Sequence, residues 1–132
     1  MFTADGLVYA ETPFMQQVHN GGCDFTRFTH IGHRRLFREF EEVASGAVGG
    51  PGMALAWSYQ HFLYSVVTAR PLRRLMTVVG RASAFWLKYL DPALIRRPAA
   101  LDAASGYYFL GRRSERTLSD REVIRTYRGA LR

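Results

Sequence analysis

The sequence predicts an α/β fold, and three observations predict it. Two runs of β-prone apolar residues, 6–10 and 106–112, lie near opposite ends of the chain. Between them, residues 53–90 carry apolar side chains at helical spacing. Turn signals then divide the chain into element-sized pieces: Asn20-Gly21-Gly22, Pro51-Gly52 and Asp91-Pro92. The expected architecture is a small sheet with about four helices packed on it.

Residues 6–10 form the first strand. Leu7, Val8 and Tyr9 are apolar on both faces, which predicts burial inside a sheet. Glu11-Thr12-Pro13 ends it, because Pro13 cannot continue a ladder. Residues 14–28 are a loop. Thr29 caps a helix running to about residue 42, with His33, Leu36, Phe37 and Phe40 on one face and Arg34, Arg35 and Arg38 in water. Residues 43–50, VASGAVGG, hold a short irregular strand. A second helix spans about 53–68. A third opens at Pro71 and runs to about residue 90, with Gly80 weakening its middle. Asp91-Pro92 stops that helix. Residues 106–112, GYYFLGR, form the clearest later strand, and Ser119 to Glu122 is a capping box for a last short helix.

The totals narrow the function classes. The 132 residues suffice for one domain with a core, and 48% hydrophobic with 14% aromatic content is globular composition. Eighteen Lys and Arg oppose eleven Asp and Glu, a net charge of +7. Lys88 is the only lysine, so the positive charge is almost all Arg, which favours planar anions such as carboxylate and phosphate. That points to an anionic small molecule, a lipid head group or nucleic acid. Cys23 is the single cysteine and can form no internal disulfide, which fits a reducing, cytoplasmic setting. The opening residues lack the pattern of a signal peptide. The longest apolar stretch, 53–67, contains Gln60 and His61 and falls short of the ~20 residues of a spanning helix.

Several residues invite chemical readings. His19, Cys23, His30 and His33 are all metal-ligand types, but H-x3-C-x6-H-x2-H is not a zinc spacing. The favoured reading is packing for His33, a first-turn position for His30 and a small loop residue for Cys23, with no metal. Cys23 as a nucleophile is disfavoured by its acidic neighbour Asp24, which raises a thiol pKa. No nucleotide-binding glycine motif is present; SGAVGGPG is a bend without a phosphate-binding Lys. The Arg-rich helix after Thr29 has no base-reading motif beside it, so nucleic acid is a minority reading. Trp57, Tyr59, Tyr64, Trp86 and Tyr89 beside Arg and Lys match either an interfacial composition, in peripheral contact with an anionic membrane, or a packed lid.

The stretch DGLVYAETPFMQQVHNGGCDFTRFTHIGHRRLF resembles the C-terminal half of a class I S-adenosylmethionine-dependent methyltransferase of the type 11 group. Asp5-Gly6 stands where that family has two glycines, residues 7–10 match its strand, and Asp24-Phe25-Thr26-Arg27-Phe28-Thr29 matches its loop motif. ASGYYFLGRRSE, residues 104–115, is similar to its closing antiparallel strand. The family binds its cofactor over its first four strands, and nothing in this chain matches those.

The resemblance implies a partial Rossmann-like fold. Residues 1–132 are then a single domain, the C-terminal part of the methyltransferase-like fold with a helical insertion at about 53–98. Its small mixed sheet is ordered first, third, second, with the last strand reversed between the other two. The first strand's outer edge is bare and invites a second copy or a companion chain. S-adenosylmethionine is the cofactor by resemblance only, since the binding half is absent. Glu11, Thr12 and Pro13 lie where ligands bind in open α/β sheets. Gln16, Gln17 and His19 face an anionic or apolar acceptor, with His19 as the candidate base. Asp24 and Arg27 either pair across the turn or contact the acceptor, and Phe28 anchors the helix start beside it. The alternative function is a small basic module that binds anionic membrane or nucleic acid through its Arg-rich helices.

Overall fold

The computed structural model describes residues 6–131, and three strands and four principal helices build that part of the chain. Strand β1 is Leu7–Pro13, β2 is Phe40–Gly49 and β3 is Gly106–Arg113. The sheet order is β1-β3-β2, first, third, second as expected. Strand β3 runs antiparallel to both neighbours, so the two outer strands point the same way. Helix α1 is His30–Leu36, α2 is Pro51–Ser65 and α3 is Arg70–Ala84. Two single turns follow, α4 Asp91–Leu94 and α5 Ala100–Ala103, and helix α6 is Asp120–Arg125.

Strand β3 carries the core. Tyr107 and Phe109 are fully buried, with His33 and Val123 from α1 and α6 beside them. Phe109 stacks on Phe37 at 4.9 Å between centroids, and the Tyr107 hydroxyl donates to the Leu101 carbonyl at 2.6 Å. The opposite sheet face is open. Its residues Leu7 and Tyr9 are 59% and 61% exposed, against the expectation of burial on both faces. Alternation of the pleat puts them on the face away from Phe109, and no helix among the described residues covers β1 there. Strand β1 also runs past its expected end, since Glu11, Thr12 and Pro13 pair with Tyr108, Tyr107 and Gly106. Pro13 is tolerated because β1 is an edge strand.

The largest departure from the sequence reading lies at residues 37–42. Helix α1 stops at Leu36 and Phe40, Glu41 and Glu42 already belong to β2, a ten-residue strand with irregularities at Val43 and Val48. The buried Arg34 guanidinium causes the stop. It donates to the Phe37 carbonyl at 2.7 Å and the Phe40 carbonyl at 3.0 Å, satisfying acceptors that a continued helix would have used. Arg34 therefore does not stay in water as its helical position suggests. The third helix is likewise shorter, with Phe85–Leu90 wound as a 3-10 segment. Gly80 is buried where α3 crosses α2; a Cβ there would lie 3.2 Å from the Gln60 Cα. Its cost in propensity secures a close helix–helix approach.

The expected caps are present. The Thr29 hydroxyl accepts from the Gly32 amide at 3.0 Å, and Ser119 and Glu122 form the reciprocal capping box. The start of α2 is capped from a distance. The Asp91 carboxylate accepts from the amides of Gly50 at 3.2 Å, Gly52 at 2.8 Å and Met53 at 3.0 Å. Asp91 thus begins α4 while fixing α2.

His30 and His33 are buried beneath the sheet, and burial holds both below the ordinary imidazole value of 6.5. The Arg128 guanidinium adds to the effect at His30, and His30 itself adds to it at His33. The unfolded chain takes up these protons near 6.5; the folded chain does so only at lower pH. Their contribution is therefore complete above 6.5 and declines on acidification below it. Unfolding free energies from urea titrations across that range are expected to fall, by up to about 1.4 kcal/mol per pH unit for each histidine. His33→Phe should flatten the slope; an unaltered slope would contradict the assignment.

Candidate functional site

The carboxyl end of β1, the carboxyl end of β2 and the start of β3 converge on one corner. Ser105 ties them together. Its carbonyl accepts from the amides of Phe14 at 2.8 Å and Gln16 at 3.2 Å, and its own amide donates to the Gly49 carbonyl at 2.7 Å. The 14–29 loop is anchored there at both ends, because the Phe28 amide donates to the Pro13 carbonyl at 3.1 Å.

Inside the loop, Asp24 and Arg27 pair with each other. Both terminal guanidinium nitrogens donate to the carboxylate, Nη2 to Oδ2 at 2.7 Å, and Arg27 Nε donates to the Gln16 carbonyl at 2.9 Å. The Arg27 guanidinium holds the Asp24 carboxyl down to about 2, the His19 amide assisting. The pairing across the turn, one of the two readings for these residues, is formed. It also places His19, whose amide donates to Asp24 Oδ2 at 3.3 Å and whose Nδ1 lies 3.6 Å from it.

His19 stands between two depressions. The smaller, about 210 Å³, is formed by Glu11, Thr12, Pro13 and Gln16 with Ser105 and Gly106 opposite. The larger, about 470 Å³, lies between α2 and α3. Gln17 enters it from the loop, its Nε2 donating to the Ser58 hydroxyl at 3.0 Å. Ser58 in turn donates to the Ala54 carbonyl at 2.9 Å, so the Gln17 amide nitrogen must face Ser58. That orientation leaves Gln17 Oε1 buried without a hydrogen-bond partner, and Thr12 Oγ1 is in the same condition. The two orphaned atoms belong to different depressions, Gln17 to the larger and Thr12 to the smaller.

The sequence-predicted residues are thus only partly gathered. Thr12, Pro13, Gln16, Gln17 and His19 face the two depressions. Glu11 reaches the rim, but its carboxylate is engaged by the Tyr9 hydroxyl. Asp24 and Arg27 act behind the rim. Phe28 lies apart, over α1 near His33, and borders a separate depression with Gly32 and Arg35.

Residues of the far wall escaped the sequence reading as site residues. Trp57, Gln60 and His61 come from α2, Arg81 from α3 and Lys88 from the 3-10 segment. One signal was available: residues 51–90 contain no Asp or Glu, yet hold Arg70, Arg73, Arg74, Arg81 and Lys88.

Among the described residues, no three His, Cys, Asp or Glu side chains come together as a metal site, and Cys23 is exposed. No helix among them is long and apolar enough to cross a membrane. No family model, no curated protein and no solved structure matches the chain.

Proposed function

We propose that this chain is the acceptor-binding portion of a class I S-adenosylmethionine-dependent methyltransferase-like protein, unable to bind the methyl donor or catalyse by itself. The observation that carries the reading is the sheet: order β1-β3-β2, with the last strand reversed between two strands that point the same way. The resemblance of residues 5–40 and 104–115 calls for that arrangement. The His19 corner supports it further, since it lies at the carboxyl end of β1.

The residues described do not fit the donor. The one glycine-rich segment leads into α2, and the amides of Gly50, Gly52 and Met53 are already taken by Asp91. A donor site must come from elsewhere, either a companion segment or another chain. The bare β1 edge and the exposed Leu7 and Tyr9 suit such a partner or a second copy. In this reading Gln16, Gln17 and His19 face the acceptor, and His19, which borders both depressions, takes the proton it loses. The single exposed cysteine suits work in the cytoplasm.

The test is calorimetric. S-adenosylmethionine titrated into the 132-residue chain should give no heat. The coding region immediately upstream should specify a glycine-rich strand–loop–helix. Joined to the chain, that segment should confer micromolar binding. Binding by the chain alone, or none after joining, would overturn the proposal.

A second reading rests on the acid-free stretch 51–90, where Leu75, Val78, Phe85, Trp86 and Tyr89 are exposed beside cations. That surface suits an anionic membrane. Co-sedimentation with anionic vesicles that disappears at high salt would favour it; none at low salt would dismiss it.

A further inference from the structure

Resting on the acceptor-side reading above, we propose that the cleft between α2 and α3 binds an amphipathic anion: an aromatic or alkyl body bearing a carboxylate or a phosphate. The apolar body belongs between Met53 and Trp57 of α2 and Ala84 and Phe85 across the cleft. The charge belongs beside Arg81 and Lys88, on the same wall as Ala84.

The electrostatics support this assignment. Among the described residues, no Asp or Glu lines the cleft. Among the described residues, neither Arg81 nor Lys88 takes part in an ion pair; the Lys88 ammonium lies 5.0 Å over the Tyr89 ring. Two acids of the surrounding elements are engaged, Asp24 by Arg27 and Asp91 by the α2 amides. An incoming anion therefore breaks no ion pair and, among the described residues, meets no repelling acid in the cleft. A cation would face two like charges, and a neutral ligand would leave both cations unpaired. Gln60 and His61 on the α2 side supply hydrogen bonds to its oxygens. The volume of about 470 Å³ falls within the roughly 300–1,000 Å³ usual for small-molecule sites. Arg81 and Lys88 border a cleft with largely apolar walls, which suits a small ligand better than a polymer backbone.

Calorimetry on the chain without any methyl donor tests the proposal, using naphthoate, naphthyl phosphate, naphthol and inorganic phosphate as probes. Both naphthyl anions should bind about tenfold or more tighter than naphthol or inorganic phosphate. The Arg81→Gln/Lys88→Gln double variant should lose about tenfold for the anions and nothing for naphthol. Both side chains are exposed and neither takes part in an ion pair among the described residues, so the variant should keep its circular dichroism and urea midpoint. Equal binding of naphthol and naphthoate, undiminished anion binding by the double variant, or no heat with either anion would overturn it. Because no methyl donor is present, anion binding can succeed while the joined protein fails to bind S-adenosylmethionine, and the reverse. The two proposals therefore fail separately.

Discussion

Asp91→Ala is expected to destabilise the chain by about 3–5 kcal/mol, the cost of stranding partners of a buried, charge-assisted cluster. Three amides at the start of α2 lose their acceptor together, and Asp91 is 9% exposed, so water does not readily replace it. The loss should extend to the cleft, because α2 supplies Met53, Trp57 and Gln60 to it. Urea unfolding gives the stability, and the Trp57 indole resonance reports the cleft. Gly52→Ala probes the same junction from the other side. A Cβ there would lie 2.2 Å from the Leu87 carbonyl oxygen, so backbone must shift. A loss under about 1 kcal/mol for Asp91→Ala would show that the helix start holds without its remote cap.

Arg34→Ala should have an effect of similar size. Its guanidinium donates to the Phe37 and Phe40 carbonyls, lies 5.3 Å over the Phe109 ring and stands 3.4 Å from Glu42 Oε2. Removal takes a charged donor from both carbonyls and a cation from beside Glu42 and opens space against the core, a loss of about 3–5 kcal/mol; the Phe37 carbonyl keeps the Phe40 amide at 3.0 Å, and Glu42 keeps Arg128 and Ser45. Arg34→Lys should recover only part of it, since one ammonium cannot span both carbonyls in a plane. Hydrogen exchange at residues 40–42 separates this account from a general loss of packing. Those amides should exchange faster than the rest of β2 if Arg34 sets the strand's start. Uniform acceleration across the strand would count against it.

These two residues also show where the sequence was legible. Thr29 and the Ser119–Glu122 box act on neighbours three residues away, so local sequence contains both partners of each bond. Asp91 acts on amides 38 to 41 residues away, and no local rule pairs them. Arg34 looked like a solvated helix position because its spacing is polar; burial came from β3 folding over it. The candidate site divides the same way. Thr12, Gln16, Gln17 and His19, the expected acceptor-facing residues, all come from one continuous stretch at the end of β1 and the loop after it. Arg81 and Lys88 do not; only the crossing of α2 and α3 brings them opposite Trp57.

Periodicity, turn residues and caps by themselves determined the strand–helix–strand order, the loop at the end of β1 and the starts of α1 and α6. Tertiary structure alone decided that α1 stops at Leu36, that Asp91 caps α2 and that an acid-free cleft forms beside His19. The physical reason is range: backbone propensity and capping act within a few residues, whereas buried charges and cleft walls need partners that only the folded chain brings together.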